Sequence, residues 1–232
     1  MKLELCAASV EAIEIARNMK FDRIELCQSL EQGGLTPSFG LIDYSLSKGV
    51  ETHVLIRPRG GAFNYSEEEK RVILADVTWC RENKVNGVVI GGLTEYGEID
   101  KELLSDIQSV AGEMKITFHR AFDDSLDWRK SIEILIESGV DRVLTSGMAN
   151  SVEIGFPILK QLKSFVGDKI EIMAGGGVNA SNIKQIAKEV MPHAIHFSGT
   201  VKAIIDEESL FSESLLKVDE AKIKRILSQL DL

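Results

Sequence analysis

The chain has 232 residues, with 27 Lys and Arg against 36 Asp and Glu, a formal net charge of −9 and no basic cluster. A polyphosphate backbone would be repelled over most of such a surface, so nucleic acid is excluded as an expected partner. Hydrophobic residues at 44% and charged residues at 27% are ordinary globular proportions, and no run approaches the roughly 18 apolar residues of a membrane span, so the expectation is a soluble protein with no membrane partner. Three cysteines, Cys6, Cys27 and Cys80, are an odd number without CxxC spacing, which argues against a disulfide framework and a structural zinc site. Reduced thiols fit a reducing compartment. The opening Met1-Lys2-Leu3-Glu4-Leu5-Cys6 has no secretory pattern, and the expected location is the cytoplasm.

Strand patterns fall near residues 2–6, 22–27, 51–57, 86–91, 115–120, 141–145, 169–174 and 194–198. Helical patterns lie between and after them, near 9–19, 38–48, 66–83, 100–111, 127–138, 152–165, 181–190 and 219–230. Ser66 with Glu69 is a capping box, Asp100 and Asp127 suit N-caps, and Gly49, Gly139 and Gly167 sit where helices should stop. Eight strand–helix units in this length predict a single (β/α)8 TIM barrel over residues 1–232, with the segment 201–232 packing on it. An open doubly wound sheet uses the same alternation with fewer strands and is the alternative.

Two features favour closure. Phe21–Cys27 resembles Val140–Ser146 four units later, as though half a barrel were repeated. The strand-to-helix loops, 28–37, 58–65, 91–99 and 198–218, are long, whereas links such as Lys20-Phe21 and Gly139-Val140 are minimal. Long loops mark the C-terminal face of a barrel, where sites are built.

Alternation assigns the inner face. It turns Glu4 and Cys6, Glu25 and Cys27, and His53, Leu55 and Arg57 toward the axis from the first three strands. Val89 and Gly91, Thr117 and His119, Glu171 and Met173, and His196 and Ser198 follow; strand six turns in either Val143 and Thr145 or the opposite set with Ser146. A barrel interior filled for stability alone would use mostly Val, Ile and Leu. Several ionisable groups there are costly unless paired or solvated, which points to a site.

The candidate chemistry takes two forms. Cys6 and Cys27 occupy matching places on adjacent strands, a soft thiolate pair suited to Cu(I), to which imidazole from His53 or His119 could add. Alternatively, the barrel accepts a small anionic, phosphorylated metabolite. Backbone N–H groups of Gly175, Gly176 and Gly177 with Ser198 would then cradle the anion, assisted by Arg57 or Arg59, with Glu4, His53 and His196 lining the mouth. His119 and Glu25 would move the proton, imidazole titrating near neutrality and the carboxylate orienting it. Arg57 has a second possible role, neutralising Glu4 or Glu25, and Arg120 is expected to brace Asp123 at the rim. No organic cofactor is predicted.

Seven motifs in register, among them Ile24-Glu25-Leu26-Cys27, Gln32-Gly33-Gly34-Leu35-Thr36-Pro37-Ser38, Ile56-Arg57-Pro58-Arg59-Gly60-Gly61, Thr117-Phe118-His119-Arg120-Ala121-Phe122-Asp123 and Gly175-Gly176-Gly177-Val178, resemble the CutC copper homeostasis family from residue 1 to about 200. The resemblance implies a (β/α)8 barrel, a cytoplasmic homo-oligomer and a role in copper homeostasis. Cys6 and Cys27 match the cysteines on which Cu(I) binding has been proposed in that family. Small departures are Ala62, where an acidic residue is common, the pair Gly91-Gly92, and the segment 201–218.

Overall fold

A computed structural model of the chain describes residues 1–204 and 214–230. Eight parallel strands close into one barrel in sequence order: β1 (Lys2–Ala7), β2 (Arg23–Leu26), β3 (Thr52–Leu55), β4 (Gly87–Ile90), β5 (Lys115–Phe118), β6 (Arg142–Thr145), β7 (Glu171–Gly175) and β8 (Ala194–Phe197). The helices between and after them are α1 (Val10–Asn18), α2 (Phe39–Ser47), α3 (Glu67–Glu82), α4 (Lys101–Ala111), α5 (Trp128–Glu137), α6 (Phe156–Val166), α7 (Ile183–Gln185) and α8 (Glu220–Leu227). This is the (β/α)8 barrel, and the open-sheet alternative is ruled out by the pairing of β1 with β8. No helix among the described residues is long and apolar enough to cross a membrane.

Local chemistry sets the helix starts. Ser66 and Glu69 form a reciprocal capping box at α3, and the Asp100 and Asp127 side chains accept the first free N–H groups of α4 and α5. The sixth helix starts at Phe156, four residues later than periodicity suggests, because Gly155 packs directly on the Ser146 carbonyl, where any Cβ would overlap. Beyond α7 the chain widens into a π-turn over Ile186–Val190.

Two apolar systems hold the barrel. Outward residues such as Leu5, Ile24, Val54 and Phe118 form the layer between strands and helices. Inside, Leu144, Met173 and Ala194 form one small cluster and Cys6, Cys27, Leu55 and Val89 another. The sixth strand takes the second of its two possible parities: Arg142 and Leu144 face inward while Val143 packs in the outer layer.

The half-barrel echo has a physical counterpart. Asp22, just before β2, accepts the Leu3 N–H of β1 at 2.7 Å, and Asp141, just before β6, accepts the Ile116 N–H of β5 at 2.8 Å. The arginine after each aspartate turns into the barrel: Arg23 bonds Glu4, and Arg142 bonds Thr117 and Glu171.

Within 198–218, read as a long loop, Thr200–Ile204 (β9) and Ser214–Val218 (β10) pair antiparallel, and the part between them lies outside the described residues. Val218, Ile223 and Ile226 join the outer core, so the hairpin and α8 are anchored to the barrel. The Leu216 N–H donates to Glu31 in the loop after β2, which brings β10 over the C-terminal face.

Candidate functional site

The inward polar residues form two groups rather than one shared mouth. The first spans β1, β2 and β8. Glu4 is fully buried and divides its oxygens, one accepting from the Arg23 guanidinium and the other 2.7 Å from His196 Nδ1. Two residues further along the strands, Cys6 Sγ lies 3.7 Å from Cys27 Sγ and 4.0 Å from a Glu25 oxygen. One donor atom each from Cys6, Glu25 and His196 falls within 4.8 Å of the others. All three cysteines are free.

Four ionisable groups buried together must balance, and these do so in pairs. Burial opposes a charge on Glu4, but the His196 hydrogen bond and the charges of His196 and Arg23 prevail and hold it at about 2. Burial pushes Glu25 up to about 7, with the nearby Glu4 charge adding to the shift. Burial likewise disfavours a charge on His196, yet Glu25, Cys6 and Glu4 together raise it well above its ordinary 6.5. The Cys6 thiol is held protonated by its hydrogen bond to Cys27 and by burial, its pKa raised well above 9.0. This corner is therefore a neutralised salt cluster with the protonated Cys6 thiol and its neighbour Cys27 above it, reached through a cleft of about 430 Å³ between Ser9, Ser29, Leu30, Glu31 and β10, with Cys6 in its wall.

The second group spans β3 and β5. Arg57 is buried, but it pairs with neither Glu4 nor Glu25, and Arg23 takes the role of counter-ion to Glu4. The Arg57 Nη atoms donate instead to the carbonyls of Gln32, Gly34 and Gly61, tying the loop after β2 to the loop after β3. Its guanidinium lies 5.1 Å from the Phe63 ring centre, and the His119 and Phe63 ring centres are 4.9 Å apart. His119 Nδ1 accepts the Ala121 N–H, which turns the end of β5 into a 3-10 turn over Arg120–Asp124 and places the ring proton on Nε2. Burial, then the Arg57 charge, pushes its pKa down to about 3. Gly91 is required beneath it, because a Cβ there would overlap the imidazole.

The remaining predicted residues lie elsewhere. His53 faces the lower barrel, 3.2 Å from Glu51 at the strand entrance, so it cannot join the thiols at the mouth. Glu171 begins β7 and pairs with Arg142, also at that end. Arg59 braces its loop through Glu69 and the carbonyls of Ala62 and Asn64. Gly175 lies against Leu144 and His196, the Arg120 guanidinium covers Gly176, and the Gly177 carbonyl accepts from Asn179 and Asn182. Ser198 bonds Thr200 at 3.0 Å. Arg120 does brace Asp123, at 2.8 Å, and also reaches Ser146 and Ala149. Arg23 and Arg142 were missed, although alternation carried one step back from Glu25 and Leu144 reaches them. Phe63 and Tyr65 lie in a loop, where no period announces them.

A closed parallel (β/α)8 barrel, with thiol, imidazole and carboxylate groups buried together inside it, defines the class: a (β/α)8-barrel protein. The CutC family model matches residues 1–201, and the chain belongs to the CutC family. A CutC family protein of Bacteroides thetaiotaomicron is 42% identical over 199 residues, covering 85% of this chain and 80% of that one. A CutC family protein of Pasteurella multocida is 36% identical over 242 aligned positions, covering 100% of this chain and 99% of the other. Among solved structures, the candidate copper homeostasis protein CutC of Streptococcus agalactiae superposes with a TM-score of 0.79 at 34% identity, covering 84% of this chain and 98% of that one. Phosphoribosylanthranilate isomerase of Thermotoga maritima, with a TM-score of 0.62 at 15% identity, covering 99% of this chain and 97% of that one, shares the fold.

Proposed function

We propose that this protein acts in copper homeostasis by holding Cu(I) between Cys6 and Cys27, with His196 as a further donor. The observation that carries this reading is the 3.7 Å separation of the two sulfurs. Two thiolates bonded to one soft metal at about 2.3 Å each, as for zinc, would lie roughly 3.8 to 4.6 Å apart between tetrahedral and linear angles, so little movement is needed. Thiolates and neutral imidazole are the donors a Cu(I) ion prefers, so His196, which its carboxylate neighbours hold protonated, must also release a proton to join them. The raised Cys6 pKa means that binding must displace thiol protons, so affinity should rise with pH. Membership of a family that includes a candidate copper homeostasis protein supports the role, and reduced thiols suit the cytoplasm.

A competition titration against a Cu(I) chelator tests it. The parent should withhold one Cu(I) per chain, and the Cys6→Ser, Cys27→Ser double variant should lose at least about a hundredfold in affinity. Equal affinity in the two proteins would end the proposal.

A further inference from the structure

We propose a second ligand site on the β3–β5 side of the mouth, built for a small oxyanion, a carboxylate or phosphate group, and formed by Arg57, Tyr65 and His119. It does not depend on a metal at the thiols. Three buried polar atoms there, Arg57 Nε, Tyr65 Oη and His119 Nε2, have no hydrogen-bond partner. Arg57 and His119 are each more than nine-tenths buried. All three groups offer a proton. Arg57 has committed three of its four Nη–H groups to backbone carbonyls and keeps its Nε–H and one Nη2–H. His119 accepts at Nδ1, so its Nε2 carries hydrogen.

The three belong to one neighbourhood. Arg57 and His119 both lie on Phe63, the Tyr65 hydroxyl lies beside the guanidinium without a properly directed bond to it, and the Arg57 charge is felt at His119. The Tyr65 oxygen can itself accept, but among the described residues the cluster holds no anionic acceptor. A buried unsatisfied donor forfeits its bond to water without replacing it, and native proteins seldom leave several side by side. The charge balance points the same way. Among the described residues Arg57 makes no ion pair, in contrast to Arg23, whose charge Glu4 meets. A guanidinium buried without a carboxylate is an anion site in waiting. Neutral donors around one cation favour a single compact oxyanion over a metal ion, which the same charge would repel. Leu55 and Val89, one layer below Arg57 and Gly91, pack with Cys6 and Cys27 and give the two sites a shared apolar floor.

The test is calorimetric titration and thermal shift with acetate and with inorganic phosphate, against chloride at matched ionic strength. Saturable binding of at least one oxyanion is expected, with a rising Tm. Tyr65→Phe removes only the hydroxyl, and His119→Phe removes the Nε2 donor while keeping the ring. Each should weaken oxyanion binding by at least about tenfold, and Tyr65→Phe should leave the free protein as stable as the parent or more so. The Cys6→Ser, Cys27→Ser variant should bind the oxyanion as the parent does. Failure of both oxyanions to bind overturns the proposal, leaving trapped water as the partner of these donors. Binding that neither aromatic substitution weakens, or that the double cysteine variant abolishes, places the anion elsewhere and overturns it equally.

Discussion

Arg23 on β2 and His196 on β8 share one carboxylate, that of Glu4, across the buried wall of the barrel. Removing the carboxylate's charge leaves the guanidinium buried without a counter-ion. Glu4→Gln is expected to cost about 3–5 kcal/mol, measured by urea denaturation. Adding Arg23→Met, which takes away the stranded charge, should recover a good part of that loss, because an apolar side chain of similar length can replace a buried ion pair at little net cost. A double variant no more stable than Glu4→Gln would show that the loss comes from packing rather than from charge.

The contact between Gly91 and His119 gives a second expectation. A Cβ at position 91 would overlap the imidazole, which is already held between Phe63 and the Ala121 N–H. Gly91→Ala should therefore destabilise the barrel by about 1–3 kcal/mol, the range for overpacking a filled interior. The paired variant Gly91→Ala, His119→Ala, which makes room for the methyl group, should show a smaller loss than the sum of its parts.

His119 also makes stability depend on acid. Its pKa is pushed down to about 3 in the folded chain, from an ordinary 6.5. Between those values the unfolded state binds a proton that the folded state does not, so stability rises with pH and is lost as pH falls from about 6.5 toward 3. Comparing Tm for the parent and His119→Gln at several pH values through this window is the measurement. The parent should lose more stability than the variant on acidification, and equal slopes would remove His119 from the account.

Much of the barrel was legible because two periods and a few caps carried it. Leu3, Leu5, Ile24 and Leu26 alternate with Glu4, Cys6, Glu25 and Cys27, and the second set does turn inward. What alternation does not contain is the stagger between strands. It decides that Arg23, not Arg57, reaches Glu4, and that His53 falls toward Glu51 at the opposite end. The parity of β6 was open because Val143, Leu144 and Thr145 would each suit either face, and the neighbouring Arg142 settles it by bonding Thr117 inside. Phe63 and Tyr65 acquire their meaning only through the fold of their loop onto His119 and Arg57.

The matching staples at Asp22 and Asp141 have one more consequence. They align Glu25 of β2 with Leu144 of β6 and Cys27 with Ser146, so the carboxylate and thiol of β2 have a leucine and a serine at the matching positions of β6. The molecule thus carries its own internal control. Whatever the thiol corner does, an equivalent frame with leucine and serine in place of glutamate and cysteine stands across the axis, and chemistry transplanted from one half to the other would reveal how much of it belongs to the residues and how much to the frame.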